Sequence, residues 1–524
     1  MKIRLLIFTI CSFSLSAQEA DFPWPDGKKA AISLSFDDAR NSHPTVGKEL
    51  FRELDLKATF YVVPAAVQLH LDGWKEIVAD GHEIGNHTIA HPCTGNFPWS
   101  KDKALENYTM ASMRQELLEC NHQIHALLGV RPVSFAYTCG NTFVGRGRNL
   151  RSYVPLVDEL FESGRGWLNE PANDPAFADM ALLQGNEMDG KDFAEIKTRI
   201  DDAIANGSWL LLAGHEIGEG GNQTVRTEML RELAAYLKSP DCDLWVGTVA
   251  EVAAHVNQVR KDRAEKLKES LTFYSSFDQG LTADFSKGDG LLYSAPAAKQ
   301  DSLATPNLLP AETAMAQRQG VFGNALEYKR KGQPVIFYQA KDNISYREQN
   351  WSGTVSLWLS LDPENDLAPG FTDPIQITDE SYDDAALWVD FSDKNPRDFR
   401  MGVFGDIIEW NPEKIRPDKN PAFSGRLVVA EDRPFAQGRW THVVITFENL
   451  NSSEGAATFY IDGKAQGTRA ISESFDWDIE QARIFLGINY IGLLDEVSLY
   501  DRALLGAEVL HLNQLTHGVK ELVH

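Results

Sequence analysis

Two adjacent carboxylates and three histidines are the residues of this 524-residue sequence whose types and spacing could do chemistry. One apolar run is followed directly by Asp37 and Asp38, and another by His215. His87 and His91 are four residues apart, so on one face of a helical turn both imidazoles can reach one cation. Two nitrogens and the Asp38 oxygen would leave positions for water and substrate, as in a catalytic metal site.

Each of these elements also has a structural interpretation. Adjacent aspartates at a strand end commonly cap or turn the chain, and a histidine pair at this spacing also occurs by chance. A single histidine at a strand end is often an ordinary hydrogen-bonding residue. The catalytic interpretation therefore depends on the three elements occurring together.

The elements that would position these residues alternate between short β-rich runs and amphipathic segments, from about residue 28 to 257. This alternation indicates βα units around a mainly parallel sheet, closed or nearly closed into a barrel. Strand carboxyl ends gather at one mouth of such a barrel, where both aspartates could converge. The strand candidates are 30–36, 58–63, 82–85, 133–137, 209–213 and 244–247, and the clearest helical patterns are 74–80 and 228–237.

The composition changes in the second half of the chain. A highly charged, helix-prone stretch at 258–270 suits a solvated connector between domains. Beyond it, aromatic and β-branched runs such as 353–359, 441–447 and 457–464 are separated by turn residues. Many short strands without intervening helices predict an all-β sandwich.

The N-terminus and the net charge restrict location and partners. Residues 1–17 have the basic start, short apolar run and small-residue end of a secretory signal peptide, with cleavage expected after Ala17. The apolar run is too short to span a bilayer, so we expect an exported protein, periplasmic or extracellular, without stable membrane insertion. The formal net charge of -25 argues against a nucleic-acid partner and favours a neutral or cationic substrate. The sequence does not indicate an oligomeric state.

The ordered segments 35–38, 86–91 and 212–215 resemble the polysaccharide deacetylase family, carbohydrate esterase family 4. The resemblance implies a distorted (β/α)7 barrel over residues 25–257 that removes N- or O-acetyl groups from a glycan. It implies Asp37 as the general base and His215 as the general acid. Asp38, His87 and His91 would hold one divalent metal ion, for which zinc is expected and cobalt, nickel or manganese are alternatives.

The loop at 135–140 is where the sequence departs from the family pattern, because Ala136 stands where the resemblance implies an arginine that orients the base. Arg40 and Arg165 are the candidate replacements, and each also suits an ordinary ion pair. The backbone of Cys139 is the implied oxyanion donor. Tyr137 would lie in the same substrate loop.

Other residues near the expected site have open roles. Trp167 could stack on a sugar ring or belong to the core. Asp174, Glu187 and Asp189 are candidates to orient the acidic histidine. Cys93 follows one motif and Cys139 lies in another, so a disulfide between these two is a hypothesis.

Segments 274–278 and 492–504 resemble the opening and closing strands of concanavalin A-like, laminin-G-type sandwiches, implying a jelly roll over residues 271–515. Such a domain could attach the enzyme to its polymer or be a structural appendage. Two other functions stay open: a glycan-binding protein with a weakly active or inactive barrel, and a small-amide hydrolase.

Overall fold

The computed structural model describes residues 22–300, 303–332 and 334–523. The predicted signal peptide at 1–17 lies outside the described residues. By its internal contacts the chain divides into two compact units, one spanning Asp21–Lys261 and the other containing Asp262–His524. Within the described residues, no helix has the length and apolar character needed to cross a membrane.

The first unit alternates strands and helices, as the sequence predicts. Its strands are β1 (Ala30–Phe36), β2 (Thr59–Val62), β3 (Glu83–Asn86), β4 (Ser134–Ala136), β5 (Phe143–Val144), β6 (Arg151–Ser152), β7 (Ser163–Arg165), β8 (Asn186–Glu187), β9 (Trp209–Gly214), β10 (Glu216–Gly218), β11 (Thr224–Arg226) and β12 (Leu244–Val246). Its helices are α1 (Lys48–Leu54), α2 (Pro64–Leu69), α3 (Leu71–Ala79), α4 (Met110–Leu128), α5 (Val154–Leu160), α6 (Phe193–Ala205), α7 (Thr227–Leu237) and α8 (Val249–Ser270).

The main sheet of this unit is parallel and follows the order β7-β4-β3-β2-β1-β9-β8, with β12 also paired to β1. Leu183 forms a parallel bridge with Arg165 in β7, and β8, a few residues later, pairs with β9. The segment from Leu183 to Glu187 therefore connects the two edges of the sheet. The fold is a distorted (β/α) barrel, as predicted.

Burial explains why the central strands form. All seven residues of β1 and all six of β9 are buried, as expected for strands covered on both faces. The six predicted strands are confirmed to within about two residues at each end. In the main sheet only β7 and β8 are not predicted, because two or three residues without a β-branched or apolar run carry no periodic signal.

Helix α8 contains the stretch predicted as a connector, and the division between the compact units falls within this helix, after Lys261. Val252 and Val256 of α8 are buried in an apolar cluster of the first unit. Leu267 is buried in a cluster of the second.

The second unit is an antiparallel all-β sandwich of the predicted concanavalin A-like class. Its strands are β13 (Leu271–Ser275), β14 (Phe285–Ser286), β15 (Tyr293–Ala295), β16 (Thr305–Pro306), β17 (Thr313–Ala316), β18 (Ala325–Tyr328), β19 (Val335–Gln339), β20 (Trp351–Ser360), β21 (Thr372–Thr378), β22 (Ala386–Phe391), β23 (Phe399–Phe404), β24 (Leu427–Val429), β25 (Thr441–Leu450), β26 (Gly455–Ile461), β27 (Lys464–Ile471), β28 (Arg483–Ile488) and β29 (Gly492–Tyr500). Short helices are α9 (Ile407–Trp410), α10 (Pro421–Ser424), α11 (Gly506–Gln514) and α12 (Lys520–Val523).

These strands form two large sheets. One is built on the order β14-β13-β29-β20-β25-β26-β27, with β17 and β18 joined through β29, and the other follows β16-β15-β19-β28-β21-β22-β23-β24. Inward side chains of both sheets share one apolar cluster, which includes Trp351, Leu357, Ile375 and Phe459. Alternating inward residues of two facing sheets are what such a sandwich buries.

Candidate active site

The candidate site lies where the carboxyl ends of the barrel strands meet. Asp37 and Asp38 follow β1, His87 follows β3, and His215 follows β9. These residues and His91 line one cavity of about 740 Å³. The parallel arrangement puts residues that are far apart in the sequence at the same mouth.

Asp38, His87 and His91 form a group that could hold a metal ion. Their potential ligand atoms lie within 4.8 Å of one another. Asp38 Oδ1 lies 3.3 Å from His87 Nε2 and 3.0 Å from His91 Nε2. Two imidazole nitrogens and one carboxylate oxygen fit the ligand preferences of a catalytic divalent cation.

The side chains of His87 and His91 lie close together, but the prediction that a helical turn carries them is wrong. The segment after β3 is a loop, and Thr88 and His91 have positive φ angles of 65° and 49°. The imidazole centroids are nevertheless 4.9 Å apart. A sharp loop can therefore bring together two side chains four residues apart, as a helical turn does.

Neighbouring residues hold this loop in place. His87 Nδ1 lies 2.9 Å from the carbonyl oxygen of Ala136, which leaves Nε2 directed toward Asp38. Glu116 in α4 accepts hydrogen bonds from the backbone of Ile89 and Ala90, at 3.0 and 2.7 Å. No pattern in the sequence points to Glu116, because an acidic residue on an amphipathic helix gives no functional signal.

Asp38 contacts two histidines and one arginine. Burial alone raises the pKa of a carboxyl, but hydrogen bonds with His87 and His91 hold the pKa of Asp38 well below its usual range. The Arg40 guanidinium also contacts Asp38 Oδ2 at 2.7 Å. Asp38 is therefore an anion, as a metal ligand must be. Arg40, one of the two candidate replacements for the missing arginine, contacts Asp38 and not Asp37.

Arg165 contacts Asp37. Its Nη2 donates a short hydrogen bond to Asp37 Oδ1, and both side chains are buried. Nη1 donates to the carbonyl of Gly166 at 2.8 Å, and the guanidinium lies 5.0 Å from the centroid of the Tyr61 ring. Three contacts fix this cation, and a buried carboxylate requires such a partner.

His215 is held by Asp189, one of the three acidic candidates. Asp189 Oδ2 lies 2.6 Å from His215 Nδ1, and Oδ1 accepts from the His215 backbone at 3.0 Å. Burial lowers the pKa of His215, but the Asp189 hydrogen bond and the negative charges of Asp37, Asp189 and Asp38 together outweigh burial, so the pKa is raised. The Trp167 ring meets the His215 ring edge to face at 4.8 Å. Asp174 instead accepts from the backbone of Ala176 in its own turn.

The buried His43 supports His215 from behind. Its Nε2 lies 2.7 Å from the His215 carbonyl oxygen, and its ring contacts Phe36 and Phe60 in the core. Burial lowers the pKa of His43 to about 4, so His43 is neutral at physiological pH. A neutral imidazole donates to the carbonyl, which fixes the backbone that carries His215.

The loop after β4 closes another side of the cavity. The predicted Cys93–Cys139 disulfide is present and ties this loop to the segment that carries His91. Cys139 has a positive φ of 53° and lines the cavity. The Tyr137 ring is buried, and its hydroxyl donates to the carbonyl of Ala181 at 2.7 Å. Tyr137 also lines the cavity, so its buried ring both anchors the loop and forms part of the cavity wall.

The sandwich has a separate cavity of about 610 Å³. Trp440 is half-buried in its wall, beside the polar side chains of Gln319, Asp366 and Gln437. A flat aromatic side chain among amide and carboxylate groups suits a polar ligand that has apolar faces.

Two families match this chain. Residues 25–150 match the family described as polysaccharide deacetylase, and residues 339–510 match the concanavalin A-like lectin/glucanases superfamily. A gellan lyase from Bacillus sp is 23% identical over 275 residues, which are 46% of this chain and 10% of that protein. A peptidoglycan-N-acetylglucosamine deacetylase from Bacillus cereus is 34% identical over 84 residues, which are 16% of this chain and 38% of that protein.

The chain thus spans 10% and 38% of the lengths of these two curated relatives. Among solved structures, a family 4 acetyl xylan esterase from Clostridium thermocellum, in complex with a cobalt ion, is 19% identical with a TM-score of 0.30, covering 44% of this chain and 92% of that one. From the two family matches, the N-terminal region is a polysaccharide deacetylase domain of carbohydrate esterase family 4 and the C-terminal region is a concanavalin A-like domain.

Proposed function

We propose that this protein hydrolyses N- or O-acetyl groups of an oligosaccharide or polysaccharide. One observation carries the proposal: three elements line the same cavity. They are the Asp37 carboxylate held by the buried Arg165, the potential metal ligands Asp38, His87 and His91, and the His215 imidazole held by Asp189. The family match of the barrel supports the same reaction class.

Asp38, His87 and His91 would hold one divalent metal ion, for which zinc is our proposal. When bound there, such an ion supplies Lewis-acid polarisation of the acetyl carbonyl and lowers the pKa of water. The anionic state of Asp38 and the Nδ1 contact of His87 with Ala136 O prepare the ligands for a cation.

Asp37 is the proposed general base. It would take a proton from the attacking water, whose oxygen forms the new bond to the acetyl carbon. Arg165 holds one carboxylate oxygen and so directs the other toward the cavity. This contact supplies the orientation that Ala136 cannot.

His215 is the proposed general acid. The hydrogen bond between His215 Nδ1 and Asp189 stabilises the imidazolium form of His215. His215 Nε2 would then protonate the departing nitrogen or oxygen as its bond to the acetyl carbon breaks. Acetate and the free amine or hydroxyl are the products. The backbone N–H of Cys139 is the proposed donor to the developing oxyanion, since this residue lines the cavity.

Export is part of the proposal, with residues 1–17 as signal peptide, 25–257 as the catalytic domain, 258–270 as connector and 271–515 as sandwich. The Cys93–Cys139 disulfide supports an oxidising compartment, because cytosolic thiols are kept reduced. For the sandwich we propose attachment to a glycan through the cavity beside Trp440.

Acetate release tests the proposal. Wild-type protein, Asp37→Asn and His215→Ala are incubated with chitooligosaccharides, peptidoglycan fragments and acetylated xylan, and bound metal is measured in parallel. We expect wild type to release acetate from at least one substrate and both variants to lose about 100-fold or more. The matched control is His70→Ala, which removes an exposed histidine outside the cavity.

Wild-type protein that binds no metal and releases no acetate from any of these substrates would contradict the proposal. Binding of these glycans without acetate release would favour the alternative of a glycan-binding protein with an inactive barrel. Acetate release only from small amides would favour the small-amide hydrolase.

A further inference from the structure

Two large aromatic side chains stay exposed at the mouth of the catalytic cavity. Phe97 is 42% exposed and Trp99 is 53% exposed. Their rings stack on each other with centroids 5.5 Å apart and an angle of 24° between the planes. Both line the cavity that contains the aspartates and histidines. Exposed, contiguous apolar surface beside polar groups marks a binding surface.

We propose that Phe97 and Trp99 form a sugar platform: a binding site for a neutral pyranose unit next to the unit that carries the acetyl group. This inference rests on the proposed function and deepens it, because it makes the substrate a chain of at least two sugars. The flat apolar face of an aromatic ring packs against the C–H face of a pyranose and buries a large apolar area.

The platform is close to the proposed metal ligands. The Trp99 ring centroid lies 6.0 Å from that of His91. A sugar on the platform would therefore continue directly into the space in front of the ligand group. Asn222 and Gln223 are exposed and line the same cavity, where their amides can hydrogen-bond sugar hydroxyls.

The platform is also rigidly anchored. Phe97 precedes a 3-10 helix, Pro98–Lys103, in which Ser100 is fully buried. Ser100 Oγ accepts from the Cys93 backbone N–H at 3.1 Å and donates to the Cys93 carbonyl at 2.9 Å. Cys93 is in turn disulfide-bonded to Cys139.

The other end of this helix is also fixed. Lys103 Nζ donates to the Ala90 carbonyl at 2.5 Å and lies 5.5 Å from the centroid of the Trp99 ring. The aromatic side chains are thus held relative to His91 before any ligand arrives. Such preorganisation reduces the entropy lost on binding.

Core packing does not account for these two rings. A structural role would bury them, as Phe36 and Phe60 are buried in the barrel core. Phe177, which is 69% exposed in the same unit, does not line the cavity and provides a matched control for a single exposed aromatic side chain.

The test compares a chain with a single sugar. Acetate release is measured for the full-length protein and for Trp99→Ala, Phe97→Ala and Phe177→Ala. The substrate pairs are N-acetylchitotetraose with N-acetylglucosamine, and acetylated xylotetraose with acetylated xylose. We expect Trp99→Ala to raise KM for the tetrasaccharide about ten-fold with kcat retained, and to leave kcat/KM for the monosaccharide within about two-fold. Trp99→Phe should recover most of the loss, and Phe177→Ala should match wild type.

Equal losses on tetrasaccharide and monosaccharide would overturn the platform, because Trp99 would then act by supporting His91. An unchanged KM for the tetrasaccharide would overturn it as well. Calorimetric binding of N-acetylchitotetraose and xylotetraose keeps this inference separate from the proposed function. Tetrasaccharide binding that Trp99→Ala abolishes and Phe177→Ala preserves supports the platform even if wild type releases no acetate, whereas acetate release without such binding overturns the platform alone.

Discussion

Arg165 lies directly opposite Ala136 in the parallel ladder between β7 and β4, and its guanidinium reaches across to Asp37. Ala136 is at the position where the family resemblance implies an arginine. The positive charge is therefore present at the same level of the barrel, on the neighbouring strand. The small side chain of Ala136 leaves space that the larger side chain of Arg165 can use.

Removing the arginine from position 165, and then restoring it at position 136, tests this arrangement. Arg165→Ala leaves a buried carboxylate without its partner, so we expect a stability loss of about 3 to 5 kcal/mol. We expect kcat to fall about 100-fold, because Asp37 is no longer oriented. Denaturant unfolding and steady-state acetate release measure the two effects.

The double variant Ala136→Arg with Arg165→Ala provides the control, because it restores the charge from the other strand. It should recover part of both losses. If Arg165→Ala retains full activity, Arg165 does not position Asp37.

The raised pKa of His215 predicts the alkaline limit of activity. A general acid must be protonated, so activity falls as pH rises through the pKa of His215. Because Asp189 raises that pKa, the fall occurs at a higher pH than it would for a histidine of ordinary pKa. Asp189→Asn removes the carboxylate, so we expect the alkaline limb of the kcat/KM profile to move to lower pH and the maximum to fall about 100-fold.

Asp174→Asn is the matched control for this profile, since Asp174 caps its own turn. Its alkaline limb should stay with that of wild type. An alkaline limb that does not move in Asp189→Asn would assign the limb to another group.

The proposed metal ligands can be tested by metal content. We expect about one divalent ion per chain in wild type, and occupancy reduced at least ten-fold in His91→Ala, because one of three protein ligands is lost. Elemental mass spectrometry measures occupancy. A chelator should abolish acetate release, and zinc should restore it in wild type but not in His91→Ala. Equal metal content in His91→Ala and His70→Ala would assign the metal to other residues.

The disulfide predicts a dependence on redox conditions. It joins residues 46 apart, and closing a loop of that length in the unfolded chain contributes about 4 kcal/mol. Cys93→Ser should lower the denaturation midpoint accordingly, and activity should fall because the His91 loop and the Cys139 loop are no longer tied. A dithiol reductant should have the same effect on wild type and little effect on Cys93→Ser.

Cys242→Ala provides the control, since Cys242 is a buried free cysteine. Its midpoint should still fall on addition of the reductant. A wild-type midpoint that the reductant leaves unchanged contradicts a stabilising role for the disulfide.

The sequence by itself determined the two folds and the ends of the central strands. The apolar runs of β1 and β9 are long enough to be recognised as buried strands in the sequence. Each is followed by a titratable side chain, which an apolar core does not require. The local pattern alone therefore identifies Asp37, Asp38 and His215 as strand-end residues.

Only the tertiary structure decided which side chains meet those residues. Arg165 and Asp189 follow or end strands of two or three residues, too short for a pattern, and their partners lie 128 and 26 positions away in the sequence. Such pairs form because the parallel strands of the barrel fix which side chains lie at the same level, on neighbouring strands for Asp189 and His215 and across the barrel for Arg165 and Asp37. The hydrophobic pattern normally sets register, but strands of two or three residues are too short to show one, so only the folded chain reveals which residues lie side by side.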